Sequence, residues 1–164
     1  MNGVASTVMR NSGYNYKINF GLDAMSIREI ASYYQPSAPF AERLWSENAR
    51  ECKILATLLY PKADFTPEKA DEWLKDCFIP ELTEQLCFNL LQHQDYAPAK
   101  ALIWIKEKDD ETKIAGYTLM LRLLLRKISV PDLNVAIELA EKDKNSENFR
   151  LKQMAERFYE RGTL

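Results

Sequence analysis

Few side chains in this sequence are suited to chemistry. It holds one histidine, His93, and three cysteines, Cys52, Cys77 and Cys87. The cysteines form no C-x-x-C pair, and their odd number reads as reduced thiols. Cys52 and Cys87 fall inside helical apolar patterns, where a buried structural thiol is the simpler reading. A zinc site would need ligands the chain hardly has, so no metal is expected. His93 follows an apolar helix, where the negative end of a helix dipole suits an imidazole. A Ser-His-Asp arrangement finds no G-x-S-x-G elbow. The five glycines stand at positions 3, 13, 21, 116 and 162. Neither G-x-G-x-x-G nor G-x-x-x-x-G-K-[ST] can be written, so no nucleotide or other cofactor is expected. Catalysis, if there is any, falls to carboxylates, arginines or aromatics.

The bulk properties allow one domain over residues 1–164. At 164 residues and 19.0 kDa, a chain can bury about 70% of its unfolded surface without a disulfide or metal staple. Lys+Arg number 22 and Asp+Glu 24, net −2. Split at residue 82, these fall as 9 against 11 and then 13 against 13, so neither half is a basic arm or an acidic tail. The composition, 46% apolar and 28% charged, is that of a globular protein. Arg122 and Arg126 interrupt the longest apolar run, and the N-terminus lacks the pattern of a signal peptide. A cytoplasmic protein with no membrane partner is expected.

The elements that must position the chemistry read as helices throughout. Ser26-Ile-Arg-Glu29 and Asn48-Ala-Arg-Glu51 have the form of capping boxes. Ser37 with Pro39, Thr66-Pro67-Glu68, Pro80-Glu81, Pro98, Asp109-Asp110, Ser129-Val-Pro-Asp132 and Asn148 mark further starts. Nine or ten short helices follow, with no β alternation of useful length. They pair: the first helix of each pair ends in Trp45, Trp73, Trp104 or Leu139, spaced 28, 31 and 35 residues apart. The first and last second helices share words, Ser46-Glu47-Asn48-Ala-Arg50 and Ser146-Glu147-Asn148-Phe-Arg150. Helix pairs at this period predict an all-α, HEAT-like α-solenoid of about four to five pairs, its three tryptophans buried between layers.

Four segments, in order, carry a resemblance. They are Asn15-Tyr16-Lys17-Ile-Asn19-Phe20-Gly21; Leu44-Trp45 with Arg50-Glu51-Cys52-Lys53-Ile54-Leu55-Ala56; Glu84-Gln85-Leu86-Cys87-Phe88-Asn89-Leu90; and Ile114-Ala115-Gly116-Tyr117-Thr118-Leu119-Met120. Together, from about Asn15 to the end, the chain resembles the DNA alkylation repair (AlkD-type) family of HEAT-like proteins. The resemblance implies a solenoid whose basic concave face grips duplex DNA. Active members release N3- or N7-alkylated purines, using a carboxylate and aromatics beside the sugar and an arginine on phosphate. The family's Trp-Asp-x-x-Asp-Gln pattern falls on Pro80-Glu81-Leu82-Thr83-Glu84-Gln85, which makes Glu84 the candidate catalytic acid. The arginine position falls on Ile114, and the later aromatic on Met154 or Ala155.

The second helices of a solenoid line its groove. The candidate groove or DNA-contacting residues are therefore Arg50, Lys53, Glu81, Lys113, Arg122, Arg150 and Arg157. An offset of 31 residues sets Arg50 beside Glu81 and Lys53 beside Glu84. Duplex DNA is the favoured partner, with weak or absent glycosylase activity. The alternatives are a groove that receives a protein or peptide, and an active glycosylase using Glu84.

Overall fold

A computed structural model describes residues 21–164. Their regular elements are all helical. The α-helices are α1 (Ala24–Ser32), α2 (Ala38–Ser46), α3 (Arg50–Leu59), α4 (Pro67–Leu74), α5 (Pro80–Asn89), α6 (Ala97–Lys106), α7 (Asp110–Leu125), α8 (Leu133–Asp143) and α9 (Phe149–Gly162). Short 3-10 turns occupy Lys62–Asp64 and Leu91–His93. The chain divides into two compact units between Leu90 and Leu91. No helix among the described residues is long and apolar enough to cross a membrane. The segment Asn15–Phe20, part of the first resemblance motif, lies outside them.

Most helix starts fall where the sequence places them. Ser37 accepts from Phe40 N–H, Thr66 from Lys69 N–H, Asp109 from Thr112 N–H, and Asn148 from the N–H groups of Arg150 and Leu151. These side chains satisfy backbone donors that a first turn leaves open. Two expected capping boxes are absent. The cap of α1 is Asp23, whose carboxylate accepts from Ser26 N–H at 2.7 Å, so Ser26 lies inside the helix. Helix α3 starts after Ala49 with no side-chain cap. Glu51, expected to reach back to the cap, instead accepts from Leu22 N–H at 3.3 Å and from Arg50 at 2.9 Å.

In the first unit α2 packs on α3, and α1, α3 and α5 lie side by side. Trp45, Trp73 and Trp104 are all buried, as their recurrence predicts. Trp45 and Trp73 stack at 4.0 Å with ring planes 3° apart, and Trp45 Nε1 donates to Asp76 at 2.9 Å. In the second unit α7 packs on α6 and α9, and α9 on α8. Gly116 allows α7 to approach α6 closely. A Cβ there would sit 2.8 Å from Ile105 Cγ1 and 2.9 Å from the Ala101 carbonyl oxygen, inside any tolerable contact, so the glycine is a packing residue. Helix α7 closes in a Schellman motif: Ile128 N–H reaches Leu123 O and Lys127 N–H reaches Leu124 O. Lys127 takes the left-handed conformation, φ 57°, that glycine usually fills.

Candidate nucleic-acid interface

In the first unit the cations of the α1, α3 and α5 layer are engaged internally. Arg50 is 2% exposed. Its Nε and Nη2 donate to the two carboxylate oxygens of Glu81 at 2.7 and 2.5 Å. Its Nη1 donates to Glu51 at 2.9 Å and to the Leu22 carbonyl at 2.6 Å. Burial works against the charge, but the hydrogen bonds and charges of Glu81 and Glu51 outweigh it and hold the guanidinium above its ordinary pKa. The sequence pairing of Arg50 with Glu81 is therefore present, as a bidentate bridge of α3 to α5 that is buried on the arginine side and half-buried on the glutamate side.

Lys53 goes elsewhere than the sequence offset suggests. It is buried, and its Nζ donates to the Trp45 carbonyl at 2.6 Å and sits 4.6 Å from a Trp45 ring centroid. Burial pulls its pKa below the usual lysine value. Glu84, its expected partner, is exposed with no side-chain hydrogen bond or ion pair among the described residues. The long ammonium arm finds a carbonyl and a π face on the neighbouring helix, which sequence offset alone cannot show.

A polar ladder, which no local sequence pattern marks, joins the same helices. Arg28 donates to Asn89 Oδ1 at 2.7 Å and lies 5.0 Å from the Phe88 ring centroid. Asn89 Nδ2 donates to Thr57 and Gln85 at 2.9 Å each. Arg28 lies 61 residues from Asn89 in sequence, and only the stacking of α1, α3 and α5 brings them together.

The second unit combines an internal pair with exposed cations. Lys113 forms an ion pair with Asp143 at 2.9 Å, and Tyr117 donates to the other Asp143 oxygen at 2.6 Å. This joins α7 to the end of α8. Burial, with Asp143 adding to it, pushes the Tyr117 phenol up. Arg150 meets Glu111 at 2.9 and 3.0 Å, but the two side chains are 40% and 58% exposed. That contact also fixes the register of α7 and α9, whose N-terminal ends lie together. From it, helical periodicity carries Arg150, Arg157 and Arg161 down one stripe of α9 at i, i+7 and i+11. Arg122 occupies the equivalent stripe of α7, eleven residues beyond Glu111. Arg157 and Arg161 are exposed and make no ion pair or side-chain hydrogen bond among the described residues.

The remaining positions carried over from the resemblance are structural. Pro80 is the first residue of α5. Ile114 is 5% exposed and Ala155 fully buried, and Met154 is half-buried. Burial pushes the Cys77 thiol up to about 12 and raises Cys52 as well, which suits structural thiols. Among the described residues no group of three or more His, Cys, Asp or Glu side chains is placed to hold a metal ion.

Paired helices with tryptophans between them and polar stripes on the second helices define a HEAT-like repeat protein. A solved structure supports that class: it comes from a new family of proteins related to the HEAT-like repeat DNA glycosylases with affinity for branched DNA structures. It matches this chain with a TM-score of 0.81 at 17% identity, over 93% of this chain and 67% of its own. The chain belongs to the DNA alkylation repair enzyme family, whose pattern it matches over residues 5–154. No curated protein sequence matches it.

Proposed function

We propose that this family member binds duplex DNA through the arginine stripes of α7 and α9 and releases alkylated purines weakly or not at all. The observation that carries the binding reading is the run of Arg150, Arg157 and Arg161 on α9, with Arg122 on α7. At 1.5 Å rise per residue, Arg150 to Arg161 spans about 16 Å, enough to follow several phosphates. On α9 itself, Arg150 is held by Glu111 through an exposed pair that a phosphate can replace. The affinity of the structurally similar protein for branched DNA makes a four-way junction the natural second ligand to try.

The reading against excision rests on chemistry. The leaving base already carries positive charge, so catalysis depends on groups that hold the developing sugar cation better than the substrate. Glu84 supplies a carboxylate. Proline at 80 and isoleucine at 114 supply neither the aromatic face nor the phosphate anchor, and Met154 and Ala155 supply no aromatic. A displacement of about 1 Å can cost a hundredfold, so a lone carboxylate is a poor substitute for the set.

The test combines binding and release on one substrate. Duplex and junction binding are measured across a salt series, and 7-methylguanine release is followed from alkylated duplex with wild type and Glu84→Gln. Salt-sensitive binding without release is the expected result. Release that Glu84→Gln abolishes would replace this reading with an active glycosylase. One observation favours a protein-binding groove as the second reading: the first unit exposes Glu84 while Arg50 and Lys53 are buried. Absence of DNA binding at low salt would promote it.

A further inference from the structure

We infer that the second unit carries a separate phosphate-monoester site, in the cleft between the 3-10 turn Leu91–His93, the start of α6 and the loop that follows α7. The cleft is open to solvent, with a volume of about 650 Å³, and Arg126, His93, Gln94, Ser129 and Asp95 are among its lining side chains. It is independent of the stripe proposed for DNA.

Arg126 is the anchor. One guanidinium nitrogen, Nη1, donates to the Gln92 carbonyl at 2.5 Å, which ties the side chain to another lining residue of the cleft. Its Nε and Nη2 have no partner among the described residues, and these two nitrogens form the edge of the fork that takes two oxygens of a phosphate side by side. The Schellman turn at Lys127 then folds the loop back so that Ile128 and Ser129 line the same cleft. Pro98 and Pro131 stand in its walls, and each fixes its backbone φ. The site is thus held by constraints already present in the unliganded chain.

The lining also selects among anions. Asp95 offsets the charge of Arg126, so net charge alone gives little attraction. A ligand must earn its place by hydrogen bonds. A carboxylate has two oxygens, and with both turned to the Arg126 edge it has no third oxygen to reach the far side of the cleft. A phosphate monoester has three terminal oxygens and a second negative charge, and the Ser129 hydroxyl can serve the third. The shared chemistry is that of a terminal phosphate, borne by a DNA end or by a small phosphate compound.

The chain's only histidine lines the cleft, so its ring resonances report on the site without ambiguity. Inorganic phosphate is titrated into the full-length protein while His93 is followed by NMR. The expected result is a saturable shift, weakened at least tenfold by Arg126→Gln and unaffected by Arg157→Gln. Ser129→Asp, on an exposed loop position, gives a second variant that leaves the helices alone and should also abolish saturation. A shift that does not saturate, or that saturates alike in wild type, Arg126→Gln and Ser129→Asp, would overturn the site. A second arm compares duplexes with 5′-phosphate and 5′-hydroxyl ends. Preference for the phosphorylated end, lost in Arg126→Gln, identifies a DNA end as the source; equal binding alongside saturation by phosphate identifies a small phosphate compound. The phosphate arm needs no DNA, so it can fail or succeed whatever becomes of the duplex-binding reading.

Discussion

Arg50 and Arg150 sit in nearly the same words, Ser-Glu-Asn-Ala-Arg and Ser-Glu-Asn-Phe-Arg, at the start of a second helix and beside a glutamate of a neighbouring helix. Their surroundings differ. Arg50 is closed in by Glu81, Glu51 and the Leu22 carbonyl and is 2% exposed. Arg150 meets only Glu111, and its side chain is 40% exposed. The residue before each arginine makes the contrast sharper: Ala49 is buried at 2%, whereas Phe149 is 72% exposed. Asn148 caps its helix and Asn48 does not. In the first unit the arginine is a buried structural tie between helices; in the second it is held by one exposed glutamate. A basic residue at the start of a second helix is therefore a candidate for binding only where the partner that holds it is exposed enough to be exchanged.

Replacing each arginine tests this contrast, and the largest effect falls on Arg50. Arg50→Met removes the charge that faces the buried Glu51 and the half-buried Glu81, and breaking a buried pair typically costs about 3–5 kcal/mol. Urea unfolding should show that loss, and a change below about 1 kcal/mol would mean that the tie is not structural.

Tyr117→Phe is the corresponding cut in the second unit. It removes the 2.6 Å hydrogen bond to Asp143 while Lys113 still pairs with the other oxygen, so a smaller loss of about 1–3 kcal/mol is expected by thermal or chemical unfolding. A loss as large as that of Arg50→Met would make the two units alike in how they use buried polar groups. Arg150→Gln should cost least, under about 1 kcal/mol, because exposed ion pairs contribute little. A greater loss on unfolding would show that Arg150 is as structural as Arg50.

The sequence made the helices legible because their punctuation is local. Thr66-Pro67, Pro80, Asp109 and Asn148 each act on the next few residues, and the recurring tryptophans mark layers that must be buried. The Arg50 to Glu81 contact was readable as well, since stacked helices of similar length repeat their register. What the sequence did not show depends on where a long side chain turns. Lys53 stretches to a carbonyl of its own helix pair, Arg28 reaches across 61 residues, and Glu51 leaves its expected cap for a backbone N–H and an arginine. The cap of α1 was misplaced by three residues because Asp23 and Ser26 are both good caps, and only the chain's entry into the helix decides between them. The fate of Arg150 was not legible, since its words match those around Arg50.

The most direct test of the account is the salt dependence of duplex binding by wild type and by an Arg157→Gln/Arg161→Gln double variant. Each phosphate contact contributes about 0.9 to the slope of log K against log salt. If the stripe of α9 holds the backbone, the double variant loses close to two contacts and its slope falls by about 1.8, with stability unchanged within about 0.5 kcal/mol. A double variant that keeps the wild-type slope and affinity would contradict the assignment of DNA binding to the second unit's arginines.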